Sequence, residues 1–483
     1  MKKLLSLSIG ALLAGCSSSA STDLGPPSFH IVITAVDGHA PPDLTKDPPD
    51  APLPANLGDR FEDWSFTIEA RSPEGELVPF DGMVRLSTRP GAIDHLEGEG
   101  AIGRNIQIKG GKAQGVAKVT AVYGPSRIWV EDLGYIPAAP GKKPACSDGI
   151  DNDGDVVIDF PADPGCAFAD DDSEEGGSYA AAVSGPVAYA LPTLSDAQGR
   201  GTATPYPFEA LELNADAPAH LVVTRVASDG FYVTDINPKE MDPVTGGYNH
   251  MFAFNFSTPA GMRVCDRVTY LSGTINEFFG FTELNFPSYQ LSYPVGGKDE
   301  CEVPEPFVLD QKALADPLVM EKHESGLVRI EGFHVAKHFG PKPAPKNVFT
   351  EGSSCDLNGD GQVDFASQDE GSCATACDAD IECSEFTAFS ARGNYRISNG
   401  KVSIQIQTGT VSTFDPTGNL GTVLDAVTGT LRNFSGGSQN WTIETRCPDD
   451  LVCGTAGCSK MVKDSKTACV RLRTVDDNDQ GTN

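Results

Sequence analysis

Four aspartates in one short segment have the spacing of a metal-binding loop. Residues 146–166 read CSDGIDNDGDVVIDFPADPGC, and with the first loop aspartate as position 1, the four occupy positions 1, 3, 5 and 9. They are Asp151, Asp153, Asp155 and Asp159. Hard Ca²⁺ takes six to eight oxygen ligands, and alternate residues of a tight loop can direct carboxylates inward. The segment is therefore predicted to bind calcium; the alternative is an acidic surface turn without metal.

The other ligands of this first loop follow from the same numbering. The carbonyl of Val157 would supply position 7. Two positions depart from the usual loop: position 6, normally glycine, is Val156, and position 12, normally a bidentate glutamate, is Ala162. Asp163, one residue further along, is therefore predicted to complete the shell.

A second loop repeats the pattern within residues 348–383. The segment after Cys355 reads DLNGDGQVDF and has glycine at position 6. Position 12 is Ser367, so Asp369 or Glu370 is expected to close the shell. The other predicted ligands are Asp356, Asn358, Asp360, the carbonyl of Gln362 and Asp364. The sequence thus predicts two bound calcium ions.

Neither loop lies between two helical patterns, because proline and glycine surround both. On these residues the loops resemble the calcium loops of dockerin and thrombospondin type 3 repeats more than helix-flanked sensor loops. The resemblance implies that calcium serves as a constitutive brace and not as a switch.

The N-terminus predicts where the protein is located. Residues 1–16 read MKKLLSLSIGALLAGC, in which two lysines precede an apolar run that is too short to span a bilayer permanently. The final LAGC resembles a bacterial lipobox, a family in which the signal is cut before a cysteine that becomes lipidated. The resemblance implies a signal peptide at 1–15, a lipid on Cys16 and a tether at 16–27. Because Ser17 and not aspartate follows, it also implies anchoring in the outer membrane, on the periplasmic or the surface face.

The cysteines fit an oxidising compartment. Of thirteen cysteines, twelve remain without Cys16, an even number that favours six disulfides. Cys146 and Cys166 lie apart from the other cysteines in the sequence, and so do Cys265 and Cys301. Each of these two sets is therefore expected to form a disulfide. Two groups of four remain, and three connectivities stay open in each. The groups are Cys355, Cys373, Cys377 and Cys383, and Cys447, Cys453, Cys458 and Cys469.

Charge and motifs argue against several function classes. The formal net charge is −31, and such a field repels phosphate backbones, so a nucleic-acid partner is disfavoured. His334 and His338 are four residues apart, but the glutamate of a zinc protease motif is missing between them. The sequence also carries no GxSxG or GxxxxGK[ST] motif. We therefore expect a protein that is not an enzyme.

Residues 28–138 alternate apolar and polar side chains in short runs separated by glycine turns, as in FHIVITAVDG and WSFTIEARSPEG. This regular spacing predicts a β-sandwich. The order of the runs resembles immunoglobulin-like domains of bacterial surface proteins. Residues 139–178 are predicted to form the first calcium loop and an acidic, flexible linker to the next domain.

Two β-barrels are predicted to follow, at residues 179–304 and 305–475, before a disordered tail at 476–483. The pattern VASDGFYVTD … GMRVCDRVTYLSGTINEFFGFTEL resembles the oligonucleotide/oligosaccharide-binding (OB) barrels of bacterial extracellular nucleases and lipoproteins. SGT at 272–274 recurs as TGT at 428–430, an offset of 156 residues (428 − 272). The repeat predicts a second OB-like barrel, into which the loop at 348–383 is inserted.

An OB barrel can bind sugars or single strands through exposed aromatic side chains. The candidates for such a platform are Phe278, Phe279, Phe281 and Trp441. The alternative is that these rings belong to the barrel cores.

Taken together, the lipobox, the loops and the β domains resemble cysteine-rich surface lipoproteins of myxobacterial-type bacteria. The resemblance implies an all-β, multi-domain, calcium-braced lipoprotein of the outer membrane. Its implied role is binding, adhesion or scaffolding, with a glycan or protein ligand left open. The alternative is an accessory module that binds glycan or nucleic acid for a secreted hydrolase.

Overall fold

The computed structural model describes most of the chain between residues 27 and 471. The described residues are 27–177, 179–215, 220–237, 247–293, 301–340, 349–350, 362–363, 380–385, 389, 392–434 and 440–471. Strands account for 42% and helices for 7%, which confirms the predicted multi-domain, all-β class. Within these ranges, no helix is both long and apolar enough to cross a bilayer.

A sandwich of two packed sheets comes first. Its strands are β1 (Ser28–Val36), β2 (Glu62–Arg71), β3 (Gly82–Arg89), β4 (Ala92–Glu97), β5 (Ala101–Ile102), β6 (Asn105–Ile108), β7 (Lys112–Thr120), β8 (Pro125–Tyr135), β9 (Ala182–Val183) and β10 (Val187–Ala188). In β2, every second residue is buried, and Trp64, Phe66 and Ile68 are at most 1% exposed. Because successive side chains of a strand point to opposite faces, this alternation creates a shared core between the sheets.

The strand order is that of an immunoglobulin constant-type domain. One sheet runs β1-β2-β7-β4 and the other runs β10-β8-β3-β6-β5, with β9 also paired to β8. The first order matches the ABED sheet, and β10-β8-β3 matches GFC with β6 and β5 added beyond strand C, so β8 is strand F and β10 is strand G.

This order corrects one predicted boundary. Strand G follows the first calcium loop in the chain, and Val187 and Tyr189 belong to the sandwich core. The loop is therefore an insertion between strands F and G and not a linker, and the sandwich extends past the predicted boundary at residue 179. The two strands after the loop have two residues each, too few to show a periodicity in the sequence.

The first barrel follows the sandwich. Its elements are α1 (Leu194–Gln198), β11 (Ala210–Leu213), β12 (Leu221–Val226), β13 (Gly230–Asp235), β14 (His250–Phe254), β15 (Arg267–Glu277) and β16 (Thr282–Ser292). Five strands close in the order β12-β13-β14-β16-β15, and β15 pairs with β12. Within this ring, β14 and β16 are parallel and the other pairs are antiparallel.

The second barrel has the same topology. Its elements are β17 (Phe307–Val308), α2 (Gln311–Leu314), α3 (Pro317–Lys322), β18 (Leu327–Val335), β19 (His338–Phe339), β20 (Phe349–Thr350), β21 (Gln362–Val363), β22 (Cys383–Ser384), β23 (Asn394–Ser398), β24 (Ser403–Gln407), β25 (Val423–Phe434), β26 (Asn440–Glu444) and β27 (Leu451–Cys453). The ring runs β18-β23-β24-β26-β25 and closes through β25 and β18, with β24 and β26 parallel. Both barrels therefore have the Greek-key order of the OB fold.

The sequence repeat marks equivalent strands of the two barrels. SGT at 272–274 lies in β15 and TGT at 428–430 lies in β25, the fourth ring strand of each barrel. A Cβ atom on Gly273 would crowd the carbonyl oxygen of Asn285, and one on Gly429 would collide with that of Glu444. The glycine therefore recurs because the fifth strand passes too close to the fourth for a side chain.

Candidate functional site

The first predicted calcium loop is fixed at both ends. Cys146 and Cys166 form the predicted disulfide, with Cα atoms 5.7 Å apart. After the disulfide, residues 170–177 pack back against the loop and the sandwich; we call them the acidic strap. Asp171 in this strap is 0% exposed, and its carboxylate accepts the backbone N–H of Ile136 at 2.9 Å. The predicted flexible linker is thus a packed segment.

Three of the predicted ligands converge in the loop. Carboxylate oxygens of Asp151, Asp153 and Asp155 all lie within 4.8 Å of one another. Each carboxylate also accepts a backbone N–H two or three residues ahead, at 2.7 to 3.0 Å. These turns fix the direction of the side chains, so one hard cation could contact all three carboxylates. We call these residues the aspartate triad.

The backbone at loop position 6 has the conformation of a calcium loop. Val156 has φ = +78°, in the left-handed region where a β-branched residue is an outlier. Its side chain is 86% exposed, so packing does not compensate for this conformation. Calcium loops place glycine at position 6 because the chain must turn sharply there.

The remaining predicted ligands of this loop do not join the triad. Both carboxylate oxygens of Asp159 accept the N–H of Gly149, at 3.1 and 3.0 Å. The N–H of Val157 donates to Asp155 at 2.7 Å. Asp163 is 2% exposed, and its carboxylate is grouped with that of Glu174 within 4.8 Å. The structure thus gathers three ligands and places Asp159 and Asp163 outside that cluster.

Glu174, in the acidic strap, is a residue that the sequence analysis missed. It is 2% exposed; its Oε2 accepts the N–H of Asn152 at 2.5 Å and its Oε1 accepts the N–H of Asp159 at 3.3 Å. A charged run such as DDDSEEGGS is typical of solvated linkers. The one sequence signal for Glu174 is its position shortly after the disulfide ring.

Most of the second calcium loop lies outside the described residues. Gln362 is described as part of β21, which pairs with β20. The other predicted ligands, Asp356, Asn358, Asp360, Asp364 and Asp369, lie outside the described ranges. Cys16, the signal peptide and the tail at 476–483 do so as well.

The disulfides of the C-terminal group have one of the three open connectivities. Cys447 pairs with Cys469, and Cys453 pairs with Cys458. In the first barrel, the predicted pair of Cys265 and Cys301 is present.

The four aromatic candidates do not form one exposed platform. Phe278 and Phe279, at the tip of the β15–β16 hairpin, are 48% and 70% exposed. Phe281 is 1% exposed and Trp441 is 9% exposed. Trp441 packs in the core of the second barrel, as the alternative states, whereas Phe281 is buried in a cluster separate from the core of the first barrel. Alternation in the sequence can indicate that a ring points away from the barrel core. It does not indicate whether another domain covers that ring.

The second barrel covers the aromatic face of the first. Tyr232, Phe252 and Phe281 form a buried cluster on the first barrel. The guanidinium of Arg432, from β25, lies 5.1 Å from the ring centre of Phe252 and 5.2 Å from that of Phe281. Tyr232 and Phe252 lie on the second and third ring strands, the region with which OB folds bind ligands. Barrel-to-barrel packing therefore occupies this region.

A different group of rings is exposed, and we call it the phenylalanine cluster. Ring centres of Phe254 and Phe256 are 4.3 Å apart, and those of Phe256 and Phe286 are 5.5 Å apart. Phe256 and Phe286 are 69% and 70% exposed, with φ of +54° and +52°. An exposed apolar ring on a strained backbone does not favour folding, and such outliers are concentrated at binding sites.

Two further motifs have structural explanations. Nε2 of His334 lies 2.9 Å from Glu382, and Nε2 of His338 lies 3.0 Å from Asp380, so both histidines pair with carboxylates. A GxGxxG spacing occurs at residues 98–103. It lies in turns between β4, β5 and β6 and not between a strand and a helix, so it is not a dinucleotide site.

Comparisons with known proteins add no family to this description. No protein-family model, curated protein or solved structure matches the chain.

Proposed function

We propose that the chain is a calcium-braced, non-enzymatic surface lipoprotein of the outer membrane that acts as a binding, adhesive or scaffold protein. The observation that carries this proposal is the aspartate triad in a disulfide-closed loop between strands F and G. The covered face of the first barrel supports a scaffold role, because the two barrels are packed on each other.

The residues of the first loop fit calcium on three counts. The triad offers carboxylate oxygens, the ligands that Ca²⁺ prefers. Val156 has the left-handed backbone that position 6 requires. Asp163 is 2% exposed, and its Oδ2 has no hydrogen-bond partner among the described residues, a sign of a missing cation or proton. A bound ion would supply charge neutralisation and a cross-link within the connection between strands F and G.

We expect chelation to lower the melting temperature of the mature protein, because the clustered carboxylates repel one another without a cation. Asp153→Ala should remove one calcium equivalent by elemental analysis and reduce the shift that chelator causes. Asp425→Ala, at an exposed aspartate of the second barrel, is the matched control and should retain all calcium. Unchanged melting in excess chelator together with calcium-free protein would refute the brace.

The anchor rests on the LAGC segment at the end of the apolar run. Cys16→Ser should leave a soluble or uncleaved product in place of an outer-membrane protein, because several acyl chains are needed for stable attachment. Fractionation of cells followed by immunoblotting tests this. A Cys16→Ser protein that still sediments with the outer membrane would show that the anchor lies elsewhere.

The phenylalanine cluster favours glycan binding as a second candidate function. Two asparagines are the chain neighbours of its rings: the N–H of Asn255 donates to the backbone carbonyl of Asp229 at 2.8 Å, and the buried Oδ1 of Asn285 has no hydrogen-bond partner among the described residues. Exposed rings beside amide groups suit a sugar, which has apolar ring faces and polar edges. The charge of −31 disfavours an anionic ligand.

If the cluster binds glycans, Phe256→Ala and Phe286→Ala should each abolish retention on a neutral glycan array. Phe208→Ala is the control, because Phe208 is 77% exposed on the same barrel and lies outside the cluster. Binding that is unchanged in both cluster variants, or a wild-type protein that binds no glycan, would eliminate this candidate.

A further inference from the structure

Two carboxylates are buried together beside the aspartate triad. Asp163 and Glu174 are each 2% exposed, and carboxylate oxygens of the two lie within 4.8 Å. Oδ1 of Asp163 accepts the N–H of Gly165 at 2.6 Å, whereas Oδ2 has no hydrogen-bond partner among the described residues. No salt bridge joins either carboxylate to a lysine, arginine or histidine in the described part of the chain. Two carboxylates buried this closely need a counter-charge or a shared proton.

Glu174 is held firmly in this place. A Cβ atom on Gly165 would overlap the carbonyl oxygen of Glu174, so the acidic strap lies directly on the turn that precedes Cys166. Asp172 of the strap accepts Lys142 in an ion pair at 2.5 Å, and the N–H of Cys146 donates to the carbonyl of Asp171 at 3.0 Å. The strap is therefore a fixed wall of the site.

The carboxylate of Glu174 spans the loop. Its two oxygens face the N–H groups of Asn152 and Asp159, which are loop positions 2 and 9. Asn152 stands between the first two triad residues in sequence, so Glu174 lies beside the triad. In a helix-flanked calcium loop, position 12 carries a bidentate glutamate, but position 12 here is Ala162.

We propose that Glu174, delivered by the acidic strap from beyond the disulfide, takes the place of the missing position-12 glutamate and closes the first calcium site together with Asp163. The shell then combines three carboxylates of the loop, one half-buried and two exposed, with two buried ones. This inference rests on the proposed calcium function of the loop. It makes the site depend on the fold of the sandwich, because strands F and G hold both ends of the insertion.

Calorimetric titration of the full mature chain with CaCl₂ tests the proposal. All proteins carry Asp360→Ala, so that the predicted second site does not contribute to the signal. Glu174→Gln and Asp163→Asn should each weaken calcium binding by about tenfold or more, because charge count sets the affinity of such sites. The adjacent Glu175→Gln, at an exposed position, should bind as the parent does.

Melting in chelator separates a ligand from a merely structural residue. Oδ2 of Asp163 has no hydrogen-bond partner among the described residues. Asp163→Asn therefore removes a charge and keeps the bond that Oδ1 accepts from the N–H of Gly165. It should raise the melting temperature in chelator while weakening calcium binding, a combination that a purely structural role does not produce.

The outcomes are distinguishable. If Asp153→Asn abolishes binding while Glu174→Gln and Asp163→Asn bind like Glu175→Gln, the closing role is wrong and the calcium loop stands. If the parent protein binds no calcium at all, the proposed function of the loop fails as well.

Discussion

Replacing Arg225 with methionine is expected to destabilise the packing of the two barrels by about 3 kcal/mol, because it leaves a buried glutamate without its main partner. The guanidinium of Arg225, on β12, pairs with the carboxylate of Glu444, on β26, and donates to Thr430 at 2.9 Å. The two charged side chains are 8% and 9% exposed. Although burial opposes ionisation, Arg225 and Arg432 lower the pKa of Glu444, so the carboxylate is charged in the folded protein.

Two residual contacts limit this loss. Arg432 stays 3.8 Å from Glu444, and the hydroxyl of Tyr232 donates to Glu444 at 3.2 Å, so the expected effect lies at the lower end of the range for broken buried pairs. Urea unfolding followed by near-ultraviolet circular dichroism measures it. The double variant Arg225→Met/Glu444→Leu should recover most of the loss, since an apolar pair replaces a buried ionic one at little cost.

Arg71→Met is the control for the Arg225→Met variant. Its ion pair with Glu69 is 37% and 28% exposed, and such a pair contributes at most about 1 kcal/mol. If Arg225→Met is no more destabilising than Arg71→Met, the buried pair does not hold the barrels together.

The strand periods and the repeat made the architecture predictable, because each depends on local sequence. Alternation in β2 marks the sandwich core, and Gly273 and Gly429 mark equivalent closing strands. The FG insertion was not predictable, since β9 and β10 are two residues each and carry no period. A cysteine-bounded loop followed by charges has the composition of a linker.

The sequence predicted only those parts of the candidate site whose geometry follows from the spacing of residues within one loop. The triad converges because neighbouring odd positions of one tight loop stay close. Glu174 approaches the triad because the acidic strap packs against the loop. The spacing of Glu174 from the triad in the sequence gives no information about that packing. For the same reason, Phe281 could not be recognised as buried, because Arg432 covers it from another domain.

A second cluster of acids makes the barrel junction sensitive to pH. Glu324 is 2% exposed, and its Oε2 accepts Gln198 at 2.8 Å and the N–H of Thr282 at 3.1 Å. Glu277 accepts the hydroxyl of the same threonine at 3.0 Å. Burial, and then Glu321, raise the pKa of Glu324 well above its ordinary value. Burial raises the pKa of Glu277 in the same direction.

Glu321 titrates near neutral pH. Burial, aided by Glu277, raises its pKa to about 7, and the side chain is only 5% exposed. The neighbouring histidines do not titrate in this window, because burial lowers the pKa of His250 to about 3 and that of His323 to about 4. Tyr248, which also faces this junction, does not titrate in this window either, because burial raises its pKa further above its ordinary value of about 10.

The stability of the junction should therefore fall as pH rises. Between the unfolded pKa of glutamic acid, about 4.3, and the folded value of about 7, the native state holds a proton that the unfolded state has released. The stabilisation is complete below the unfolded pKa and is lost by the time pH passes the folded one. At about 1.4 kcal/mol per pH unit, Glu321 alone accounts for a loss of ~4 kcal/mol by pH 8.

Glu321→Gln removes this titration and keeps a neutral side chain of the same shape. The variant should match the wild type near pH 4.5 and exceed its unfolding free energy by ~4 kcal/mol at pH 8, because the wild type must then bury a charge. Urea unfolding of both proteins at half-unit steps of pH gives the difference curve. Glu331→Gln, on the exposed face of β18, is the control and should give a flat difference. A flat curve for Glu321→Gln as well would mean that Glu321 is ionised in the folded protein at neutral pH, and that the junction tolerates its charge.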